Sequence, residues 1–466
     1  MGIIVNDLHS ELNETDHDDV VFVDSLQAIR TEIVRASKSK ISFSVAGGRY
    51  ASGGQQFCTG GLVLDTSKLD RVLHIDTEHG LVEVEAGIQW PALIEHLETV
   101  QAGLSSPWGI AQKQTGADRL SIGGAISANA HGRGLSMKPF VADVESLILV
   151  NAEGETVECS RDRNNELFRL VVGGYGLFGC IYSVTLRLVP RRMLERIVEL
   201  ENIDDLAQRF SERISDGYLY GDFQFVTDDT SEGFLRAGVF SCYRPIEREQ
   251  PPPTDQRVLS QDDWIGLIKL AHTDKALAFK LYSEHYLATS GQIYYSDRHQ
   301  LADYLDGYHH RLDKDLKSAH RATEMISELY VPRDRLTDFM VAAGEDFRKH
   351  NVDVIYGTIR LIERDDESYL AWASEPWACV IFNLHTIHTQ DGIAHTMEAF
   401  RRLIDLAIER GGTYYLTYHR WARHDQVEKC YPQLRKFLEL KRKYDPEERF
   451  QSDWYRHYRD IFLGAS

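Results

Sequence analysis

The chain has 466 residues, of which 43% are hydrophobic and 26% are charged, a composition typical of a globular protein with more than one ordinary domain. Its 71 acidic residues outnumber its 52 basic residues, and the resulting formal charge of −19 disfavours nucleic acid and anionic membrane surfaces as partners, because both require a basic patch. The six cysteines show no CxxC spacing, so neither a metal site nor a disulfide framework is indicated; no secretion signal or membrane span is recognisable, and we expect a cytoplasmic location.

The first predicted elements lead directly into a glycine-rich stretch. The apolar run from Val20 to Val23 predicts a short strand. Asp24 is the predicted N-cap of a helix, because Gln27 follows three positions later and apolar residues then recur on one helical face. The alternating segment from Ile41 to Val45 predicts a second strand. The glycines therefore begin where a strand ends, which is where a ligand-binding turn belongs in a layered α/β structure.

The next segments predict antiparallel hairpins mixed with helices. "RVLHID" and "LVEVEAG" are alternating runs joined by a turn, and "VESLILV" and "TVECS" are a second such pair. Pro91 suits the first turn of a helix. "ELFRLVVGGYGLFG" predicts a helix that ends in a glycine turn, and "CIYSVTLRLVP" predicts a buried strand closed by Pro190. This mixture does not indicate a doubly wound parallel sheet.

A second domain of the α+β type is predicted after Pro190, over roughly residues 195–435. The segment from Tyr243 to Gln256 holds four prolines and several charges, which predicts an extended surface excursion. Longer strands are predicted in "YGDFQFV", "VDVIYGTIRLI" and "WACVIFNLHTI", and helices between them include "MEAFRRLIDLAIER".

Three glycine-rich stretches mark the N-terminal half. They are "VAGGRYASGGQQFCTGG" (Val45 to Gly61), "QTGADRLSIGGAISANAHGRG" (Gln114 to Gly134) and "GGYGLFGCI" (Gly173 to Ile181). Each lies beside an apolar strand or helix, so we expect the three loops to converge on one extended ligand. Backbone amides in such turns form anion-binding nests, which would suit the pyrophosphate of a dinucleotide. No GxGxxG follows the first strand and no GxxxxGK[ST] occurs, so a Rossmann site and a P-loop are disfavoured.

The order of four segments resembles the FAD-binding domain of the vanillyl-alcohol oxidase flavoprotein family, also called the PCMH-type domain. The segments are "AGGRYASGGQ", "TGADRLSIGGAISANAHGRG", "DVESLILVNAEGE" and "ELFRLVVGGYGLFGCI". The resemblance covers roughly residues 15–190 and implies a two-part FAD-binding domain, followed by an α+β cap domain with an antiparallel sheet. "KYDPEERFQSDW" resembles the segment with which chains of this family return to the FAD domain, here residues 440–466.

The resemblance implies FAD as cofactor and assigns residues to it. In this family the first loop wraps the pyrophosphate, the second runs along the pyrophosphate and under the flavin, and the third places an aliphatic side chain near the adenine. The matching positions, with two further expected contacts at Asn129 and Tyr415, are Ala46, Gly47, Gly48, Arg49, Tyr50, Ala51, Ser52, Gly53, Gly54, Gln55, Gly116, Ser121, Ile122, Gly123, Gly124, His131, Gly132, Gly134 and Ile181.

Tyr50 departs from many members of the family. They often have a histidine there that bonds covalently to the flavin, and tyrosine lacks the imidazole nitrogen for that bond. The resemblance therefore implies non-covalent FAD.

The substrate side resembles the sugar-oxidising branch, which includes the aldonolactone and alditol oxidases. In that branch a glutamate and an arginine two residues later face the substrate; here Arg360 keeps the arginine and Thr358 replaces the glutamate. "GGTYYLTYHRWA" is similar to the segment in which alditol oxidases and decaprenylphosphoryl-ribose oxidase carry a lysine beside the flavin, and Tyr418 occupies that place. This tyrosine-rich segment is either a strand packed in a core or part of a pocket.

Four side chains are candidates for catalysis: Tyr418, His419, His131 and Arg360. Tyr418 and His419 are successive positions of a predicted strand and should point to opposite faces, so we expect one of them to manage the substrate proton. Tyrosine would need a positive neighbour such as Arg360 to act as a base. His131 lies where the family's second loop passes the flavin, although a histidine there could also simply cap a turn.

These observations predict an FAD-dependent oxidoreductase that moves a hydride from a hydroxyl-bearing carbon of a small polar, sugar-like substrate to the flavin, with reoxidation by oxygen or another acceptor. Two alternatives remain at this point. One is a double-bond reductase fed by NADPH, and the other is a flavin-retaining binding protein without turnover.

Overall fold

The computed structural model describes residues 2–247, 250–302 and 307–464. Residues 248–249 of the predicted proline-rich excursion lie outside these ranges, and the strand before them continues to Ile246. No helix within the described ranges is long and apolar enough to cross a membrane, and the six cysteines form no disulfide. The cytoplasmic location stays a prediction.

The N-terminal part contains a small parallel sheet and a larger antiparallel one. Its strands are β1 (Ile3–Val5), β2 (Thr15–His17), β3 (Asp19–Phe22), β4 (Phe43–Ala46), β5 (Leu62–Asp65), β6 (Val72–Asp76), β7 (Leu81–Glu85), β8 (Trp108–Ile110), β9 (Val144–Val150), β10 (Thr156–Ser160) and β11 (Cys180–Pro190). Strands β3, β5 and β4 pair in parallel in that order, and β10, β9, β11, β7 and β6 form the antiparallel sheet, with β8 also on β11. The two predicted hairpins, β6–β7 and β9–β10, are confirmed.

Four helices accompany these sheets: α1 (Leu26–Lys38), α2 (Trp90–Val100), α3 (Ile122–Ala128) and α4 (Asn165–Val171). Helix α1 buries Ile29 and Ile33, as its sequence pattern predicts. Its N-cap is Ser25 and not the predicted Asp24, because the Ser25 side chain accepts a hydrogen bond from the Ala28 amide.

The second part is one eight-stranded sheet, here called the cap sheet, with every pair antiparallel. Its strands follow the order β15-β12-β14-β13-β17-β18-β16-β19. In chain order they are β12 (Met193–Asn202), β13 (Tyr220–Phe225), β14 (Ala237–Ile246), β15 (Ile293–Tyr295), β16 (Ala322–Pro332), β17 (Val354–Ile362), β18 (Trp377–Ile387) and β19 (Thr413–Tyr414). The predicted α+β class with an antiparallel cap is confirmed, whereas the residue boundaries 15–190, 195–435 and 440–466 stay predictions.

The two faces of the cap sheet have different surroundings. The helices of this part are α5 (Ile203–Ser215), α6 (Gln261–Thr273), α7 (Lys275–Leu287), α8 (Tyr308–Leu316), α9 (Leu336–His350) and α10 (Gln390–Ile408). On β18, Phe382 packs against Phe339 and Phe347 of α9, with ring centroids 6.5 and 5.1 Å apart. The neighbouring positions Ile381 and Asn383 point to the other face, which lines a cavity under α6 and α7.

The C-terminal helices α11 (His424–Cys430), α12 (Leu434–Tyr444) and α13 (Asp453–Leu463) bring the chain back to the first sheet. The Phe450 ring packs edge-on against Phe43 of β4 at 4.5 Å. Asp445 shapes this return, because its carboxylate accepts hydrogen bonds from the Arg449 and Phe450 amides. The same carboxylate pairs with Lys441 at 2.5 Å, and burial lowers the pKa of that lysine.

We predict that Asp445→Ala lowers the free energy of unfolding by about 3 to 5 kcal/mol, because it leaves the buried Lys441 without its counter-charge. The matched control is Asp366→Ala, which breaks an exposed pair with Lys138 and should cost about 1 kcal/mol or less. Urea unfolding of both variants checks this. Equal losses for the two would contradict the assigned role of Asp445.

Candidate active site

The three glycine-rich stretches meet at one cleft in the N-terminal part. Six glycines line it, so backbone rather than side chains forms much of its surface. The first stretch supplies Gly47 and Gly48, the second Gly123 and Gly124, and the third Gly176 and Gly179. Such a surface fits an extended ligand that carries phosphates, because backbone amides can approach the ligand closely.

Gly123 and Gly124 show how this surface is built. A Cβ on Gly123 would lie 2.7 Å from the Ala86 Cβ, so this glycine is required for packing of α3 against β7. A Cβ on Gly124 would meet only Ser121 Oγ, at 3.0 Å. Gly124 therefore keeps the cleft itself open, which is what a bound cofactor needs.

Many of the predicted cofactor positions line this cleft, but a substantial minority do not. Those on its lining are Gly47, Gly48, Arg49, Tyr50, Ala51, Ser52, Gln55, Ser121, Gly123, Gly124, Ile181 and Tyr415. Gly116 and His131 line the neighbouring cavity described below. Neither surface includes Ala46, Gly53, Gly54, Ile122, Asn129, Gly132 or Gly134.

For two of these residues the structure gives the physical reason why they do not line the cleft. Ile122 is fully buried in the core behind the cleft. The Asn129 side chain donates to Asp365 and Ser368 and accepts from the Val141 amide, so it fastens the 365–368 turn onto the second glycine stretch. Neither residue lines the cleft, and their part in cofactor binding stays a prediction.

The attachment of the cofactor stays a prediction. Tyr50 lies on the cleft lining, and within the described ranges that lining contains no histidine and no cysteine. This composition offers no side chain of the kind that forms the family's covalent link.

A cavity of about 530 Å³, here called the cap cavity, lies between the cap sheet and the helices α6 and α7. It opens into the cleft, because five residues line both: Tyr50, Ser52, Gln114, Leu120 and Tyr418. A ligand in the cap cavity can therefore touch a group bound in the cleft.

A buried charged network stands beside this junction. His131 Nε2 lies 2.6 Å from Glu328 Oε1, and Tyr418 donates to Glu328 Oε2 over 3.1 Å. Tyr330 and Cys379 also donate to Glu328, at 2.6 and 3.1 Å. One carboxylate of strand β16 therefore organises side chains from the second glycine stretch, the cap sheet and the 415–422 turn.

The surroundings of Glu328 determine whether it is ionised. Burial alone would raise the pKa of Glu328, but the His131 cation and the donated hydrogen bonds lower it to about 2, so the group is a carboxylate. His131 Nδ1 lies 2.9 Å from the Gly132 carbonyl oxygen, which can only accept. Both imidazole nitrogens therefore face oxygen acceptors, and His131 pairs with Glu328.

Glu328 is absent from the sequence-based candidates. The sequence does contain one sign of its role: Glu328 is a carboxylate in the middle of the largely apolar run "MISELYV". An unpaired charge would be costly to bury at such a position, so a partner is expected. The partner that explains it, His131, is 197 residues away in the chain.

The segment around Tyr418 is a turn and not the predicted strand. Strand β19 contains only Thr413 and Tyr414, and its pairing with β16 ends there. The Gln55 side chain then donates to the Thr417 carbonyl oxygen, which fastens the turn to the first glycine stretch. The turn brings Tyr418 to the junction of cleft and cavity.

His419 points away from both surfaces. Its ring stacks on Trp421 with centroids 4.4 Å apart, and burial lowers its pKa, so it is neutral in the folded protein at neutral pH. Of the two successive candidates, only Tyr418 reaches the site.

The cap cavity contains a cluster of buried polar atoms that have no hydrogen-bond partner within the described residues. Arg360 Nε and Thr358 Oγ1 belong to this cluster, on one face of β17. The others are Arg133 Nε, Asp222 Oδ1, Gln224 Oε1 and both ring nitrogens of His299. Buried polar groups are nearly always hydrogen-bonded, so such a cluster indicates a polar ligand.

Comparison with known proteins agrees with this geometry. Residues 18–160 match the FAD binding domain family. The mitochondrial L-galactono-1,4-lactone dehydrogenase of Arabidopsis thaliana is 24% identical over 262 residues, which are 55% of this chain and 40% of that protein. The L-gulono-1,4-lactone dehydrogenase of Mycobacterium tuberculosis is 25% identical over 404 residues, 86% of each chain. The L-gulonolactone oxidase of Bos taurus is 30% identical over 171 residues, 37% of each chain.

We predict that Gly124→Val yields a stable protein without FAD, because the new side chain enters the cleft and meets little of the protein. Gly123→Val should instead destabilise the fold by about 1 to 3 kcal/mol, because it presses on Ala86. The flavin absorbance of each purified variant, together with its melting temperature, separates the two effects. Full FAD content in Gly124→Val would contradict the placement of the cofactor.

The matched family and the glycine-lined cleft lead to the same assignment. The cleft fits FAD, and the cap cavity opens onto it. The chain is therefore an FAD-dependent oxidoreductase with an FAD-binding domain over residues 18–160, and it is similar to lactone oxidases and dehydrogenases.

Proposed function

We propose that the chain oxidises a hydroxyl-bearing carbon of a polyhydroxylated, sugar-like molecule that binds in the cap cavity beside the FAD cleft. The observation that carries this proposal is the cluster of unpartnered polar atoms in that cavity. It mixes donors, such as Arg360 Nε, with acceptors, such as Asp222 Oδ1, as a ligand with many hydroxyl groups requires. The names of the relatives, which refer to gulono- and galactono-lactones, support the same class of substrate.

Arg360 is suited to bind the oxygen of the reacting hydroxyl. It is largely buried, it lies on β17 next to Cys379 of the charged network, and its Nε hydrogen has no acceptor among the residues that the structure describes. A fixed cation at this position stabilises the negative charge that develops on the oxygen when the proton leaves.

Tyr418 is suited to receive the hydroxyl proton without ever becoming a phenolate. Burial, together with the Glu328 carboxylate, raises the pKa of Tyr418 well above its ordinary value, so it is a neutral phenol. Its hydrogen is donated to Glu328, which leaves its oxygen lone pairs for the substrate hydroxyl. As the hydroxyl proton moves to Tyr418, the Tyr418 proton moves to Glu328.

Bound FAD supplies the acceptor for the hydride that leaves the carbon, and oxygen or another acceptor takes up the electrons afterwards. The protein's own contribution is to exclude water, orient the carbon and remove the proton. His131 pairs with the Glu328 carboxylate before the transfer, and thereby keeps that buried carboxylate in place to accept the proton.

The substrate class is tested by anaerobic mixing of the FAD-loaded protein with aldonolactones, alditols, simple alcohols, phenols and NADPH. We expect a polyhydroxylated compound to bleach the flavin fastest, because it alone can satisfy the polar cluster. Bleaching by NADPH alone would support a reductase, and bleaching by no compound would support a binding protein; either outcome would overturn the proposal.

The roles of the side chains are tested by stopped-flow reduction with the best compound of that panel. We predict a loss of roughly 10²- to 10³-fold for Arg360→Met and of about 10²-fold for Tyr418→Phe. His419→Gln should reduce at the parental rate, because the ring does not reach the cavity. Each variant is first checked for normal flavin content and melting. A parental rate in both Arg360→Met and Tyr418→Phe would place the chemistry elsewhere.

A further inference from the structure

The cap cavity extends well beyond the polar cluster. Its floor is one face of the cap sheet, since alternate residues of β17 line it: Arg360, Thr358 and Tyr356. Arg360 and Tyr356 are four positions apart along the strand, which is roughly 13 Å. On β16 the lining runs in the same way from Glu328 through Ile326 to Glu324. The cavity therefore continues along the strands, away from the junction with the cleft.

The roof of this far half is apolar. Trp264, Leu267, Ile268 and Ala271 of α6 line the cavity, and their spacing of three, four and seven residues places them on one helical face. Phe279 and Tyr282 of α7 continue this surface. The part of the cavity under α6 therefore offers aromatic and aliphatic contacts.

The apolar face of α6 is only partly used for packing. A surface helix normally buries such a stripe against the core, but no residue of α6 is fully buried, and the four lining residues are half-buried.

Polar contacts at the ends of the helices also hold them. His272, at the end of α6, lies 3.1 Å from Glu324, and Lys275, at the start of α7, pairs with Asp353 at 2.6 Å. The stripe is thus presented to the cavity by contacts made elsewhere.

We propose that the substrate is amphipathic: a polyhydroxylated unit, held by the polar cluster, that carries an alkyl or aryl group lying between α6 and the cap sheet. This inference rests on the proposed function and narrows its substrate class. The size of the cavity agrees, because about 530 Å³ is typical of pockets for ligands considerably larger than one sugar ring.

The test uses methyl, hexyl and octyl β-D-glucosides, each below its micelle-forming concentration, with binding to the FAD-loaded protein measured by calorimetry. We expect the octyl compound to bind at least about tenfold more tightly than the methyl compound, because each buried methylene adds to affinity. Phenyl glucoside is compared with methyl glucoside in the same way, and it distinguishes an aryl from an alkyl preference.

Two isoleucine variants of α6 provide a matched pair. Ile268 lines the cavity, whereas Ile265 is similarly half-buried and does not. In Ile268→Gln the ratio of octyl to methyl affinity should fall about threefold or more, and in Ile265→Gln it should be retained. Melting curves confirm that both variants are folded.

The outcomes separate the two proposals. Affinity that does not increase with an alkyl or aryl group overturns the amphipathic substrate, even if aldonolactones or alditols reduce the flavin and support the proposed function. An increase with chain length that Ile268→Gln leaves intact also overturns it, since the apolar group would then lie elsewhere. Chain-length-dependent binding that Ile268→Gln diminishes, without flavin reduction by any hydroxylated compound, supports the amphipathic ligand and contradicts the proposed function.

Discussion

The arrangement of the site depends on the buried ion pair between His131 and Glu328. His131 comes from the second glycine stretch and Glu328 from strand β16 of the cap sheet, so the pair joins the two parts of the chain beside the junction of the cleft and the cap cavity. Neither charge could be buried without the other. Because Tyr418 donates to the same carboxylate, the pair also fixes the direction in which the phenol faces the cap cavity.

The cap sheet creates the site by the alternation of its side chains. Even-numbered positions of β18 such as Phe382 pack against α9, while Ile381 and Asn383 face the cavity. The same alternation on β17 sets Arg360 and Thr358 on the cavity side. The cavity face of the sheet thus provides a floor with a polar end and an apolar end, and the apolar stripe of α6 covers the apolar end.

Local patterns predicted much of the fold, and non-local contacts account for what they missed. Alternation and turn residues indicated the hairpins, and the glycine-rich stretches indicated the cleft. The 415–422 segment was predicted as a strand from its tyrosines, but its conformation is set by contacts such as that of Gln55 with Thr417. Glu328 has no local motif, because its role exists only once a histidine from a distant loop lies beside it.

The most direct test of this account is a double-mutant cycle on the ion pair, read out as the rate of flavin reduction by a polyhydroxylated substrate. The variants are Glu328→Gln, His131→Gln and the combination of the two. If the pair acts as a unit that positions Tyr418, the double variant should be no slower than the slower single variant. If the two losses instead multiply, the residues act independently, and the central role assigned to their interaction is wrong.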